Sequence, residues 1–298
     1  MDGENEMTMK DGTGMKKTKI LMIVCLIAGF ISAYKPAPCA RISPGTPQEK
    51  GRFVWPAGKR VAISLTFDDA RPSQIDTGMP IFDKYGVRAT FYISPDNLEQ
   101  RLEGWKRAVH KGQEIGNHTT THPCTGNYAF SRENAIEDMT LKAMAKDIDK
   151  ATRIIVDRLG VQPVSFAYPC GQTFVGRGRD VKSTIPLVAE RFLTGRGWLG
   201  EDANDPEKCD PVQLMAMESD GRVFDQIKPL IDKAAAEGRW LILAGHEIGE
   251  GGFQTTLART VEEICRYAAD PANRLWIDTV GTIGRYIIDK REPPSASR

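Results

Sequence analysis

The sequence predicts an α/β domain built on a parallel sheet with helices packed against it. Three observations lead there. From Arg60 onward, short apolar runs alternate with longer amphipathic ones. The short runs are almost continuously apolar, as strands buried on both faces must be. Polar and ionisable residues collect just after those runs, where the carboxyl ends of parallel strands form a single rim.

The elements follow in order. Val61 to Phe67 reads as a strand and Pro72 to Tyr85 mostly as helix. Ala89 to Ile93 is a strand, Leu98 to Lys111 a helix, and Glu114 to Gly116 a short strand. Arg132 to Leu159 is a long helical stretch with room for one break. Val164 to Tyr168, Phe192 to Thr194 and Leu214 to Met217 are candidate strands. Phe224 to Ala236 is helical, Trp240 to Ala244 a strand, and Leu257 to Ala269 a helix. Leu275 to Asp278 and Val280 to Ile288 close the series as strand and helix. A closed barrel and an open doubly wound sheet both satisfy this pattern.

The 298 residues are 41% apolar and 27% charged, enough to bury a sizeable core. The formal net charge of +1 and the lack of any long basic run exclude a general nucleic-acid binder. Lys16, Lys17 and Lys19 precede an apolar run from Ile20 to Ile31, followed by Ser32 and Ala33. That order is the pattern of a secretory signal, and the run is shorter than a membrane span needs. Residues 1–33 are therefore expected to be an extension plus signal peptide, the mature chain to be exported, and no stable membrane insertion to remain after cleavage. The polar stretch ahead of Met15 suggests that translation begins there. Prolines 36, 38, 44 and 47 mark a linker over 34–59, ahead of a folded domain at 60–290 and a polar tail at 291–298. Of six cysteines, five lie beyond the signal, and no C-x-x-C pair suggests a structural zinc ribbon. Export permits disulfides, but spacing does not reveal their pairing.

Four segments place chemistry at predicted strand ends. Asp68 and Asp69 end the first strand, His118 and His122 follow the Glu114 strand, and Tyr168-Pro169-Cys170-Gly171 ends another. His246 follows Trp240 to Ala244. Two histidines four apart would share a face on one helical turn and could hold one metal ion, although three intervening threonines favour a looser conformation. Asp69 would complete a two-histidine, one-carboxylate set with positions left open, as in catalytic zinc sites. Asp68 would stay free to accept a proton, and His246 could protonate a leaving group. His110, among lysines and arginines, reads as a surface residue. Tyr128, Phe130, Trp198 and Phe253 are loop aromatics suited to sugar stacking.

In this order Thr66-Phe67-Asp68-Asp69, His118 to His122, Tyr168 to Gly171 and the strand before His246 resemble the motifs of the NodB-homology polysaccharide deacetylases, carbohydrate esterase family four. The resemblance runs over roughly Arg60 to Ile288. It implies an irregular (β/α)7 barrel and a hydrolase that removes N-acetyl groups from a glycan. It also implies one divalent ion, most simply Zn2+, on Asp69, His118 and His122. By the same resemblance Asp68 is the general base, the backbone N–H of Cys170 the oxyanion donor, and His246 the general acid. Tyr168 and Trp198 line the substrate pocket. Three departures stand out. Ala167 occupies the place of an arginine that orients the base, and Arg196 is the candidate replacement. The aspartate–tryptophan pair of the fourth motif is not evident apart from Trp198. The leucine expected two residues before His246 is Ala244. An O-acetyl esterase, a non-catalytic glycan binder and an open-sheet hydrolase of small cyclic amides are the competing expectations.

Overall fold

The computed structural model describes residues 53–291. The expected signal segment, most of the linker and residues 292–298 lie outside the described residues. Eight strands make one sheet: β1 (Val61–Asp68), β2 (Thr90–Ile93), β3 (Glu114–Asn117), β4 (Ser165–Ala167), β5 (Thr194–Arg196), β6 (Met217–Glu218), β7 (Trp240–Gly245) and β8 (Leu275–Ile277). Seven of them run in the order β5-β4-β3-β2-β1-β7-β6, every pair parallel. The remaining strand, β8, pairs with the start of β1, while β2 pairs with its end. The two edges of the sheet meet. Leu214, on the approach to β6, forms a parallel bridge with Arg196 of β5, and Met217 pairs with Leu243 of β7. The α/β class and the seven-stranded barrel expected from the sequence are thus both present.

Helices α1 (Met79–Tyr85), α2 (Leu102–His110), α3 (Leu141–Leu159), α4 (Ile185–Ala189), α5 (Phe224–Glu237), α6 (Ala258–Ala269) and α7 (Val280–Arg291) fall between or after the strands. Every residue of β1 is buried, so the strand has two inner faces. By strand alternation Val61, Ile63, Leu65 and Phe67 face the helices, and the core built on them includes Phe82, Phe91 and Trp105. Ala62, Ser64, Thr66 and Asp68 face the barrel interior. The alternation therefore carries Asp68 inward at the rim while Phe67 anchors the strand from behind.

Several boundaries differ from the sequence reading. The stretch from Arg132 is two short 3-10 turns before α3 begins, and Thr140 caps that helix by accepting from Ala143 N–H at 3.2 Å. The segment before α1 is a π-turn, Gln74–Gly78, rather than regular α-helix. The strand expected at Phe192 to Thr194 lies two residues later, which puts Arg196 on β5 instead of in a loop. The linker ends earlier than expected. Trp55 is buried, donates Nε1–H to Gly238 O at 2.9 Å and packs among Phe53, Trp276 and Tyr286. Arg291, read as the first residue of the tail, ends α7 and donates to the carbonyls of Pro206 and Cys209 at 2.6 and 2.7 Å. Trp55→Ala should therefore cost about 3–5 kcal/mol in denaturant unfolding, the range for a buried tryptophan. A change below about 0.5 kcal/mol, the scale of an ordinary surface substitution, would return residues 53–59 to linker status.

Candidate active site

The carboxyl ends of the strands surround a cleft of about 580 Å³. Asp68, Asp69, His118, His122, Tyr168, Cys170, Trp198 and His246 all line it, so the structure brings together every site residue singled out in the sequence. Arg71, Leu199 and Gln254 join them, with Tyr128, Phe130 and Phe253 at the rim.

Strand geometry explains the placement. Asp68 is the last inward residue of β1. The next residue, Asp69, takes φ +72°, which turns the chain so that two adjacent carboxylates serve one cleft. Its backbone is fixed on both sides: N–H donates to Tyr92 O at 3.0 Å and C=O accepts from Asn97 Nδ2 at 2.9 Å. His246 lies one residue past the Phe67–Gly245 register pair, at the level of Asp68.

His118 to His122 is a loop rather than a helical turn, with Thr119 and His122 at φ +64° and +45°. Asp147 of α3 holds it, its Oδ2 accepting from Thr120 N–H, Thr121 N–H and the Thr121 hydroxyl at 3.1–3.3 Å. The threonines that disfavour helix thus organise the loop. The two rings lie 4.8 Å apart, edge to face. His118 Nδ1 sits 2.8 Å from the Ala167 carbonyl, which can only accept, so Nδ1 carries the proton and Nε2 is left as a lone-pair donor.

The donor set fits a metal ion. Asp69 Oδ1 is 3.8 Å from His118 Nε2 and 3.7 Å from His122 Nε2. Two ligands about 2.1 Å from one tetrahedral ion stand roughly 3.4 Å apart. Burial, reinforced by His118, pushes the His122 pKa down to about 4, against the opposing pull of Asp69, so the ring is neutral and competent as a ligand near pH 7. Burial would raise the Asp69 pKa, but the histidines and Arg71 outweigh it and hold the carboxyl below its usual value. Arg71 donates to Asp69 Oδ2 at 3.0 Å and to Glu247 and Gln254 at 3.3 and 3.1 Å, which turns Oδ1 toward the histidines.

Arg196 is fully buried and ion-paired with Asp68 Oδ1. In the β4–β5 ladder its register partner is Ala167, the residue that stands where the resemblance implies an arginine. The guanidinium therefore enters from the neighbouring strand at the same level, and the small side chain beside it leaves room. It lies over the Tyr92 ring at 4.7 Å. Gly116 is the register partner of Tyr92, and a Cβ there would collide with that ring.

Asp220 was missed by the sequence reading, although it follows the predicted Leu214 strand just as the other site residues follow theirs. Its Oδ2 lies 2.7 Å from His246 Nδ1 and its Oδ1 accepts from His246 N–H at 3.2 Å. Gly245 makes room for it, since a Cβ there would come within 2.7 Å of Asp220 Oδ1. Burial alone would lower the His246 pKa, but Asp220 and the charge of Asp68 outweigh it and raise it. Trp198 packs edge-on against the His246 ring at 4.9 Å. Tyr168 forms a wall, its hydroxyl donating to Val212 O at 2.9 Å. Cys170 sits at φ +53° and is disulfide-bonded to Cys124. His110 is exposed on α2, as expected for a surface residue.

Comparison with known proteins agrees with this geometry. The polysaccharide deacetylase family profile matches residues 56–183, which hold both aspartates, both histidines and Cys170. The match covers less than half of the chain, and this region is similar to the polysaccharide deacetylase family, the NodB-homology group that the motifs resemble. The chain is 27% identical over 156 residues to a peptidoglycan-N-acetylglucosamine deacetylase of Bacillus cereus, covering 51% of each protein. It is 23% identical over 271 residues to a gellan lyase of a Bacillus species, covering 80% of this chain and 10% of that one. The chain thus spans between a tenth and about half of the length of these relatives. A crystal structure of the polysaccharide deacetylase type from Mycobacterium smegmatis superposes with a TM-score of 0.58 at 16% identity, covering 83% of this chain and 97% of the other, a likeness of fold.

Asp220→Asn should lower the pKa of His246, because the charge that favours the imidazolium is gone while burial remains. NMR titration of the ring should show deprotonation at lower pH than in the native protein. An unchanged midpoint would show that Asp220 does not set the protonation of His246.

Proposed function

We propose that this protein is an exported, zinc-dependent hydrolase that removes N-acetyl groups from a glycan. The observation that carries the reading is the convergence of one metal-binding set with a separately held base and acid. Asp69, His118 and His122 would hold the ion. Asp68 and His246 take no part in that set, and each is oriented by its own partner, Arg196 or Asp220. A purely binding site has no need of two oriented proton-transfer groups.

A divalent ion held there would lower the pKa of a water and polarise the acetyl carbonyl. Asp68 Oδ1 is engaged by Arg196, so Oδ2, 3.8 Å from His118 Nε2, is the oxygen left to take the water's proton. The Cys170 N–H donates to the oxyanion as the carbonyl carbon becomes tetrahedral. His246, kept protonated by Asp220, delivers its Nε2 proton to the departing nitrogen. Trp198 limits the position of that ring, and Arg71 steadies the ligating carboxylate. The Bacillus cereus relative, which acts on N-acetylglucosamine in peptidoglycan, supports an amide in a glycan as the substrate class. Export is supported by the apolar run after Lys19 and by the Cys124–Cys170 disulfide, a bond favoured in oxidising compartments. No helix among the described residues is long and apolar enough to cross a membrane.

Acetate release from peptidoglycan, N-acetylated chito-oligosaccharides and acetylated xylan, with and without chelator, tests the reading and separates amide from ester cleavage. The native protein should carry about one zinc per chain and lose activity to the chelator, and His118→Ala should lack the ion. Full occupancy in that variant would sink the assignment of ligands.

Asp68→Asn and His246→Ala should retain metal while turnover falls by roughly 10²–10⁴-fold on an N-acetylated oligosaccharide. An aryl acetate, whose leaving group needs no proton, should separate the two. Loss of Asp68 should slow both substrates, and loss of His246 chiefly the amide. Equal slowing of both substrates by His246→Ala would remove its role as acid.

A further inference from the structure

The disulfide between Cys124 and Cys170 spans 46 residues of sequence and joins two segments with different duties in the reaction proposed above. Cys124 lies two residues past His122, in the loop that Asp147 clamps to α3, and is fully buried. Its own N–H and C=O are both held by the Ser131 hydroxyl, at 2.9 and 2.8 Å. That side of the bond is a fixed anchor. Cys170 occupies a short 3-10 turn, Pro169–Gly171, with φ +53° and ψ +17°. A residue bearing a Cβ is less comfortable in that left-handed region than elsewhere, because the Cβ crowds the following carbonyl oxygen. The turn's hydrogen bonds run from Gly171 N–H to Tyr168 O and from Gln172 N–H to Pro169 O, at 2.8 and 3.1 Å. One further tie crosses between the segments, from Thr125 N–H to Gln172 Oε1 at 2.8 Å.

We propose that Cys124–Cys170 is a positioning link for catalysis. It holds the Cys170 N–H at a fixed place relative to the metal-ligand loop by stopping the left-handed turn from relaxing. The inference rests on the deacetylase reading, since it needs an oxyanion for that N–H to meet. An oxyanion donor is effective only when aimed at the spot where charge develops, and a shift of about 1 Å can cost on the order of 100-fold. The anchor matters because the same loop supplies His122. Metal donors and oxyanion donor are thereby referenced to one frame, although the sequence separates them widely.

The test compares Cys124→Ala, Cys170→Ala and the double variant with the native protein. The readouts are kcat and KM on an N-acetylated chito-oligosaccharide, metal per chain, and Tm, with kinetics measured well below the lowest Tm. Cys124 does not line the cleft, so its variant removes no substrate contact, and because its Sγ lies 3.7 Å from His122 Nδ1 the metal content reports any effect through that ring. If Cys170→Ala does not fold, Cys124→Ala and Cys124→Ser carry the test. The expected result is a fall of about tenfold or more in kcat and in kcat/KM together, with KM and metal content native, the pattern of an interaction made only in the transition state. The single and double variants should lose the same factor, because all three break one bond. A lower Tm with native kcat overturns the proposal and leaves the disulfide as a staple of the fold. Loss of metal also overturns it, because the link would then act through His122. If the native protein releases acetate from none of the glycans, the deacetylase reading itself falls. An active native protein with unaffected variants removes the link alone.

Discussion

The ion pair between Asp68 and Arg196 is the contact around which the site is arranged. Both partners are buried, so neither charge is tolerable without the other; removing one of such a pair typically costs about 3–5 kcal/mol. The pair fixes which carboxylate oxygen faces His118. It also dictates its surroundings. Tyr92 supplies an aromatic face under the guanidinium, Gly116 clears space for Tyr92, and Ala167 keeps the cavity open beside it. The Arg196 backbone also bridges to Leu214, so the residue that pairs with Asp68 stands at the seam where the barrel closes.

Opposite this pair, Asp220 does for His246 what Arg196 does for Asp68. A cation is paired with the carboxylate on one side of the cleft, and an anion with the imidazole on the other. On the His246 side, Asp220 and the charge of Asp68 outweigh burial and raise the proton affinity of the ring. Each assembly depends on a residue without a side chain, Gly116 on one side and Gly245 on the other. The backbone at these positions leaves the volume that the charged partners fill.

Much of this was legible in the sequence. Apolar strand patterns placed β1 and β7 almost to the residue, because strands buried on both faces leave an uninterrupted signal. The same strands located Asp68, Asp69 and His246, as strand alternation and the rim rule required. Less legible were features set by tertiary contact. The short strands β5 and β6 carry too few residues for periodicity, so Arg196 could be suggested but not placed, and Asp220 passed unnoticed. The His118–His122 loop takes its shape from Asp147, nearly thirty residues away. The Cys124–Cys170 pairing depends on two loops meeting in space. Trp55 was hidden by the prolines before it, which mark irregular backbone but not whether that backbone packs.

The parallel register that sets Ala167 beside Arg196 bears on how such proteins are inherited and classified. Position by position along the chain, Ala167 counts as a lost arginine. Across the ladder, the two positions form one compartment with room for one guanidinium. Selection would then act on the pair: arginine at one place and a small residue at the other, in either order. A homologue holding two arginines would crowd like charges into one hole, and one holding none would leave the buried carboxylate without its counter-ion. A census that scores single columns would count this chain as lacking the arginine, whereas one that scores the two columns jointly would find one guanidinium beside Asp68.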